Sequence, residues 1–138
     1  MTQDDTREAV FGMLDGTTSC LGVVVGLVIA GTRSGPHILA AALGLGIAAT
    51  VGMGAGEYLS DTTRSLRLAA VMGAATFLGS VLPALPFATG YGAGQLLAAL
   101  AITVLAALLI GRVRGFGITF AILAVVAVLT VGLSALVA

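Results

Sequence analysis

The chain carries very little charge, and this scarcity excludes most classes of soluble protein. Only 9% of its 138 residues are charged and 59% are apolar, whereas a soluble domain carries about 25% charged residues. The mean hydropathy is +1.16. These values predict an all-α, polytopic integral membrane protein, and we expect no enzymatic activity.

Two further shortages narrow the function. Six acidic and six basic residues leave a formal net charge of zero, so nothing suggests a nucleic-acid partner. A single cysteine, Cys20, excludes a disulfide within the chain. No organelle signal is evident, which favours a bacterial plasma membrane over an organelle.

Turn residues and charges divide the apolar sequence into five predicted spans, since a spanning helix needs about 20 apolar residues. "TRSGPH" separates the first two spans, and its proline suits the start of a helix. "PALPFATGYGAG" divides a long uncharged run, and "GRVRG" forms the last connection. The predicted spans are about 10–31, 37–59, 68–88, 92–110 and 116–137, in a single domain covering residues 1–138.

The arginines predict the orientation. With the N-terminus inside, only Arg33 lies outside, and five arginines lie in the cytoplasm: Arg7, Arg64, Arg67, Arg112 and Arg114. The positive-inside rule therefore favours a cytoplasmic N-terminus and an external C-terminus.

Pairs of glycines four residues apart let helix backbones approach closely. Such pairs occur at 12 and 16, at 22 and 26, and at 52 and 56. Because all three lie in the first two spans, they predict that these two helices pack closely together.

Two carboxylates, Asp15 and Glu57, fall inside predicted spans. A charge at a helix centre costs about 2.5–3.5 kcal/mol on insertion scales, so such a residue is by default a candidate functional site. Counted from the span ends, both lie at a similar depth, with Met53 one turn deeper than Glu57. Carboxylate and thioether ligands favour a transition metal, and a carboxylate can exchange that ion for a proton. The pattern predicts a proton-coupled cation transporter.

Other interpretations remain open. Asp15 and Glu57 could reach the membrane surface, or Glu57 could form a structural ion pair with Arg64. The chain could then be a non-transporting membrane subunit or scaffold, or a small proton-coupled transporter of organic cations. His37 and Asp61 are accessory candidates, as a proton site or a weak ligand, although an acid at a helix C-terminus is unfavourable and suits a turn better.

Several motifs resemble the vacuolar iron transporter family (the Ccc1-like transporters). "REAVFGMLDGTTSCLGVVVGLVIAG" is similar to its first helix, and "VGMGAGEYLS" is similar to its second, where M-x-x-G-E-Y-x-S is the most specific signature. "GSVLPALPF" and "GRVRG" resemble the end of its third helix and the connection before its fifth.

The resemblance implies a five-helix homodimer that exports Fe²⁺ or Mn²⁺ from the cytosol in exchange for protons. It implies a pathway along the dimer interface, lined by the first two helices, and it requires no cofactor besides the transported ion. Matched by motif, Asp15 and Met53 would bind the metal in transit, and Glu57 would lie near the cytoplasmic entrance.

One departure concerns metal capture. Many members of that family carry a glutamate-rich cytosolic domain between the second and third spans. Here only "SDTTRSLR" occupies that place, and it contains no glutamate. Capture of metal by such a domain is therefore not expected.

Overall fold

The computed structural model describes residues 2–63 and 65–137, and it is helical almost throughout. Its helices are α1 (Gln3–Ile29), α2 (Gly35–Ser60), α3 (Leu66–Val81), α4 (Ala93–Arg114) and α5 (Phe116–Val137), with a 3₁₀ segment (Leu82–Thr89) after α3. Five helical stretches are long and apolar enough to cross a membrane, with α3 and the 3₁₀ segment forming one of them. The predicted all-α fold with five spans is confirmed.

Helix α1 begins about two turns before the predicted start at residue 10. A capping box fixes this start: the Thr2 hydroxyl accepts a hydrogen bond from the Asp5 amide at 3.2 Å. The Thr2 amide in turn donates to the Asp5 carboxylate at 2.7 Å. Because these bonds satisfy amide groups that a helix leaves open, the polar residues before the apolar run are helical too.

Two further boundaries differ from the prediction. Helix α4 continues for another turn beyond the predicted end at residue 110 and reaches Arg114, so most of "GRVRG" is helical. Gly115 ends it with φ +102°, a conformation that favours glycine. The prolines at 83 and 86 convert the end of the third span into the 3₁₀ segment, as expected from the lost backbone donors.

The prediction that the glycine pairs join α1 to α2 is wrong. A Cβ atom at Gly12 or Gly16 would overlap backbone atoms of α3, so these glycines bring α1 against α3. Gly22 and Gly26 face Thr130 and Ser134 of α5 instead. At Gly52 and Gly56, a Cβ atom would meet nothing within 4 Å. Spacing alone identifies a close-packing surface but not its partner.

Candidate functional site

A cavity of about 520 Å³ lies at the end of the bundle where α1 begins. Most of its wall is apolar, but it gathers two carboxylates, two guanidinium groups, a hydroxyl and a thioether. Its lining residues are Arg7, Glu8, Val10, Phe11, Leu14, Glu57, Met72, Ile110, Arg114, Ile118, Thr119 and Ile122. Charged groups with room for an ion therefore occur together within a single chain.

Glu57 is half-buried in this cavity wall and lies on the inward face of α2. Gly46 of α2 is buried, and Met53 and Glu57 follow it by seven and eleven residues. Residues at these spacings lie on the same side of a helix. Met53 is also half-buried. The predicted metal ligands of α2 thus point toward the bundle and not toward its outer surface.

Glu8 is a candidate site residue that the sequence analysis did not single out. Its side chain is only 3% exposed, and it lines the same cavity as Glu57. The Nε of Arg7 donates a hydrogen bond to Glu8 Oε1 at 2.6 Å. Glu8 precedes the predicted ligand Asp15 by seven residues, which is two helical turns. This spacing could have identified Glu8 as a candidate from the sequence. It was not singled out because it lies before the predicted start of the first span at residue 10.

Asp15 is half-buried on α1 between two glycines that pack against α3. It does not line the cavity, and the prediction that it matches Glu57 in depth is wrong. Measured from the connection between α1 and α2, Asp15 lies roughly 21 Å along its helix and Glu57 roughly 33 Å. The depths differ because α1 begins well before residue 10, which places Glu8 opposite Glu57.

Together these residues occur at successive depths. Glu8 and Glu57 share the level of the cavity, Met53 follows one turn deeper on α2, and Asp15 lies roughly another 6 Å deeper on α1. Among the residues that the structure describes, no group of three or more His, Cys, Asp or Glu side chains could hold a metal together. The potential ligands are distributed along the helices.

Met72 adds a second sulfur that the sequence did not single out. It lies on α3, is 5% exposed and lines the cavity beside the two glutamates. A thioether is a soft ligand suited to transition metals, although methionine also fills irregular space between helices. The cavity therefore presents both oxygen and sulfur atoms.

The two accessory candidates lie apart from the cavity. His37 is exposed in the first turn of α2, at the opposite end of the bundle. Asp61 follows the last turn of α2 and accepts hydrogen bonds from Thr63 and Ser65. The Thr63 hydroxyl, with the amides of Thr63 and Ser65, holds the pKa of Asp61 below its ordinary value. The alternative ion pair of Glu57 involves Arg64, which lies outside the described residues.

An ion pair joins the helix ends near the cavity. Arg67, in the first turn of α3, donates to the buried carboxylate of Asp5 at 2.7 Å. Since Arg114 lines the cavity with Glu8, arginines from α1, α3 and α4 gather at one end of the bundle. Arg33 lies at the other end, where its guanidinium stacks over Tyr91 at 5.5 Å.

Comparison with known proteins supports the resemblance seen in the motifs. The model of the VIT family matches residues 6–65, which cover nearly all of α1, the whole of α2 and the connection to α3. No curated protein and no solved structure matches the chain. The matched range includes Glu8, Asp15, Met53 and Glu57, the potential ligands on α1 and α2. Over its first two helices the chain is thus similar to the VIT family, and it is a membrane protein with five helical stretches long and apolar enough to span.

Proposed function

We propose that this chain is a proton-coupled exporter of divalent transition-metal ions, Fe²⁺ or Mn²⁺, from the cytosol. One observation carries the proposal: half-buried Glu57, Met53 and Asp15 occur at successive depths, beginning at a cavity that also contains Glu8. Charged groups within a membrane bundle face its interior or a wet cavity when they mark an ion pathway.

The chemistry of the side chains supports exchange of metal for protons. In the proposed cycle, Glu8 and Glu57 receive the ion at the cavity, and the Met53 sulfur and Asp15 carboxylate bind it deeper in the bundle. Each carboxylate binds either the metal ion or a proton, because binding both at once would leave uncompensated positive charge in the membrane interior. Protons moving inward would thus release the metal outward.

The distribution of arginines supports a cytoplasmic N-terminus. Arg7, Arg67 and Arg114 gather at the end of the bundle that holds the cavity. Under the positive-inside rule this end faces the cytosol, so the cavity would be the entrance for metal. We place the protein in a bacterial plasma membrane.

The outer face of α2 supports a homodimer. Small residues recur there every four positions, and every one of them is exposed: Ala40, Gly44, Ala48, Gly52, Gly56 and Ser60. We call this the α2 stripe. A small residue every four positions lets two helices cross closely. Because the stripe lies away from the inward face of Met53 and Glu57, each protomer would keep its own cavity.

Transport is tested in proteoliposomes loaded with a metal-sensitive dye. We expect Mn²⁺ flux driven by a pH gradient, with opposite proton movement, and its loss in Asp15→Asn and Glu57→Gln. Asp4→Asn is the matched control, because Asp4 is an exposed acid of α1 outside the cavity wall. Unchanged flux in both variants would remove these carboxylates from the mechanism.

The same assay separates the alternative functions. A scaffold would give no flux of any ion, and its Asp15 and Glu57 variants would lose helix association. A proton-coupled transporter of organic cations would acidify vesicles with an organic cation but not with Mn²⁺. Either result would refute metal export.

The dimer is tested by a bulky substitution on the α2 stripe. We expect Gly52→Ile to shift the protein from dimer to monomer in detergent, as measured by light scattering. Gly132→Ile on α5 is the control, since a Cβ atom at Gly132 would also meet nothing within 4 Å. Equal effects of the two substitutions would argue against this interface.

A further inference from the structure

The pairing of Arg7 with Glu8 is unusual for neighbouring residues of a helix. Consecutive side chains do not face each other on a helix surface, yet Arg7 Nε lies 2.6 Å from Glu8 Oε1. The Arg7 side chain must therefore fold back over Glu8. It remains 58% exposed while Glu8 is almost fully buried.

This contact places a fixed cation against a carboxylate of the proposed metal entrance. Arg7, Glu8 and Glu57 line one cavity. Arginine is charged at every accessible pH, so Glu8 cannot be freed by deprotonation of Arg7. A metal ion can occupy the bonded oxygen of Glu8 only if the guanidinium moves away, and the exposed side of Arg7 leaves room for that movement.

From this geometry we propose that Arg7 is a tethered competitor of cations at Glu8, which lowers the affinity of the metal and keeps monovalent cations from occupying the entrance. The inference rests on the proposed function. A divalent ion gains twice the attraction of a monovalent ion from Glu8 and Glu57 at the same distance. A monovalent ion has only half that attraction available to displace the charge-assisted hydrogen bond between Arg7 and Glu8. Arg7 thus sets the attraction that a cation must supply to occupy the entrance, and a divalent ion supplies twice as much as a monovalent ion.

The experiment compares Arg7→Gln, Arg7→Lys and Arg112→Gln by Mn²⁺ titration. Arg112 is a matched control, because it is an exposed arginine of α4 near the cavity wall but not part of it. Binding is measured calorimetrically on the whole protein in detergent, and flux is measured in proteoliposomes. In R7Q we expect the Mn²⁺ dissociation constant to fall about tenfold, or about 1.4 kcal/mol. R7K, which keeps the charge, should stay nearer to the wild type.

Competition by Na⁺ gives a second readout that a merely structural role would not change. At constant ionic strength, Na⁺ replaces N-methylglucamine in the titration. We expect no effect on Mn²⁺ binding to the wild-type protein and weaker Mn²⁺ binding to R7Q. An unchanged or weaker Mn²⁺ affinity of R7Q without Na⁺, or a change equal to that of R112Q, would overturn the inference.

The two proposals fail separately. Absence of Mn²⁺ flux in the wild type would refute export, while tighter binding by R7Q would still support competition by Arg7. Normal wild-type flux with no affinity change in R7Q would refute the role of Arg7 and leave export standing.

Discussion

The contact between α1 and α3 predicts a large penalty for adding one methyl group at Gly16. A Cβ there would overlap the Thr76 carbonyl oxygen and lie 2.8 Å from the Ser80 amide nitrogen. It would also lie 3.0 Å from the Gly79 carbonyl carbon, whereas ordinary contact begins at 3.4 Å. All three neighbours are backbone atoms, so no side-chain rotation can relieve the overlap.

The magnitude follows from the movement that this overlap requires. The two helices must separate by roughly 1 Å, which forfeits a quarter to a half of the dispersion energy at each contact along the interface. Overpacking of a tight core typically costs about 1–3 kcal/mol. We expect Gly16→Ala to lower the free energy of unfolding by about 3 kcal/mol, at the upper end of that range.

The assay is equilibrium unfolding in mixed micelles, followed by circular dichroism. The control is Gly132→Ala on α5, where a Cβ meets nothing within 4 Å. Alanine there should be neutral or gain up to about 1 kcal/mol from helix propensity. If Gly16→Ala unfolds within ~0.5 kcal/mol of Gly132→Ala, the usual scatter of harmless substitutions, the backbone contact between α1 and α3 is refuted.

Three further predictions test other parts of the molecule. Glu8→Gln should raise the half-saturating Mn²⁺ concentration in the flux assay at least about tenfold, because it removes a buried carboxylate of the cavity, whereas Asp4→Asn should not. The Asp61 carboxyl should titrate below its ordinary pKa, because its hydrogen bonds favour the charged form. Their stabilisation is present above the ordinary pKa and disappears as the pH falls through the lower folded-state pKa. An NMR titration of Asp61 with a midpoint at or above its ordinary value would contradict this. Thr17→Val should leave the free energy of unfolding nearly unchanged, because the buried Thr17 hydroxyl has no hydrogen-bond partner among the described residues. Thr76→Val should lower it by about 1 kcal/mol, because the Thr76 hydroxyl donates a hydrogen bond to the Met72 carbonyl oxygen. Equal losses in these two variants would refute that difference.

Several features of the site are predictable from local pattern. Glu57 and Met53 stand out because polar and sulfur side chains at helical spacing are rare in an apolar span, and both lie on the inward face of α2. Glu8 does not stand out, because it precedes the apolar run in sequence. Its burial depends on α1 continuing to Gln3 and on Ile118 and Thr119 of α5, which lies more than a hundred residues away and helps to close the cavity around it.

The membrane location and the five helices follow from the amino-acid sequence alone, because hydrocarbon demands long apolar segments whose backbone groups bond within each helix. The positions where prolines and glycines interrupt those helices follow from it too. Which helices touch depends on the three-dimensional packing. Gly12 and Gly16 could have met any close neighbour, and they meet α3 because its Thr76, Gly79 and Ser80 present backbone at the matching level. That pairing is set by the packing of all five helices together, and it brings Glu8 and Glu57 into one cavity.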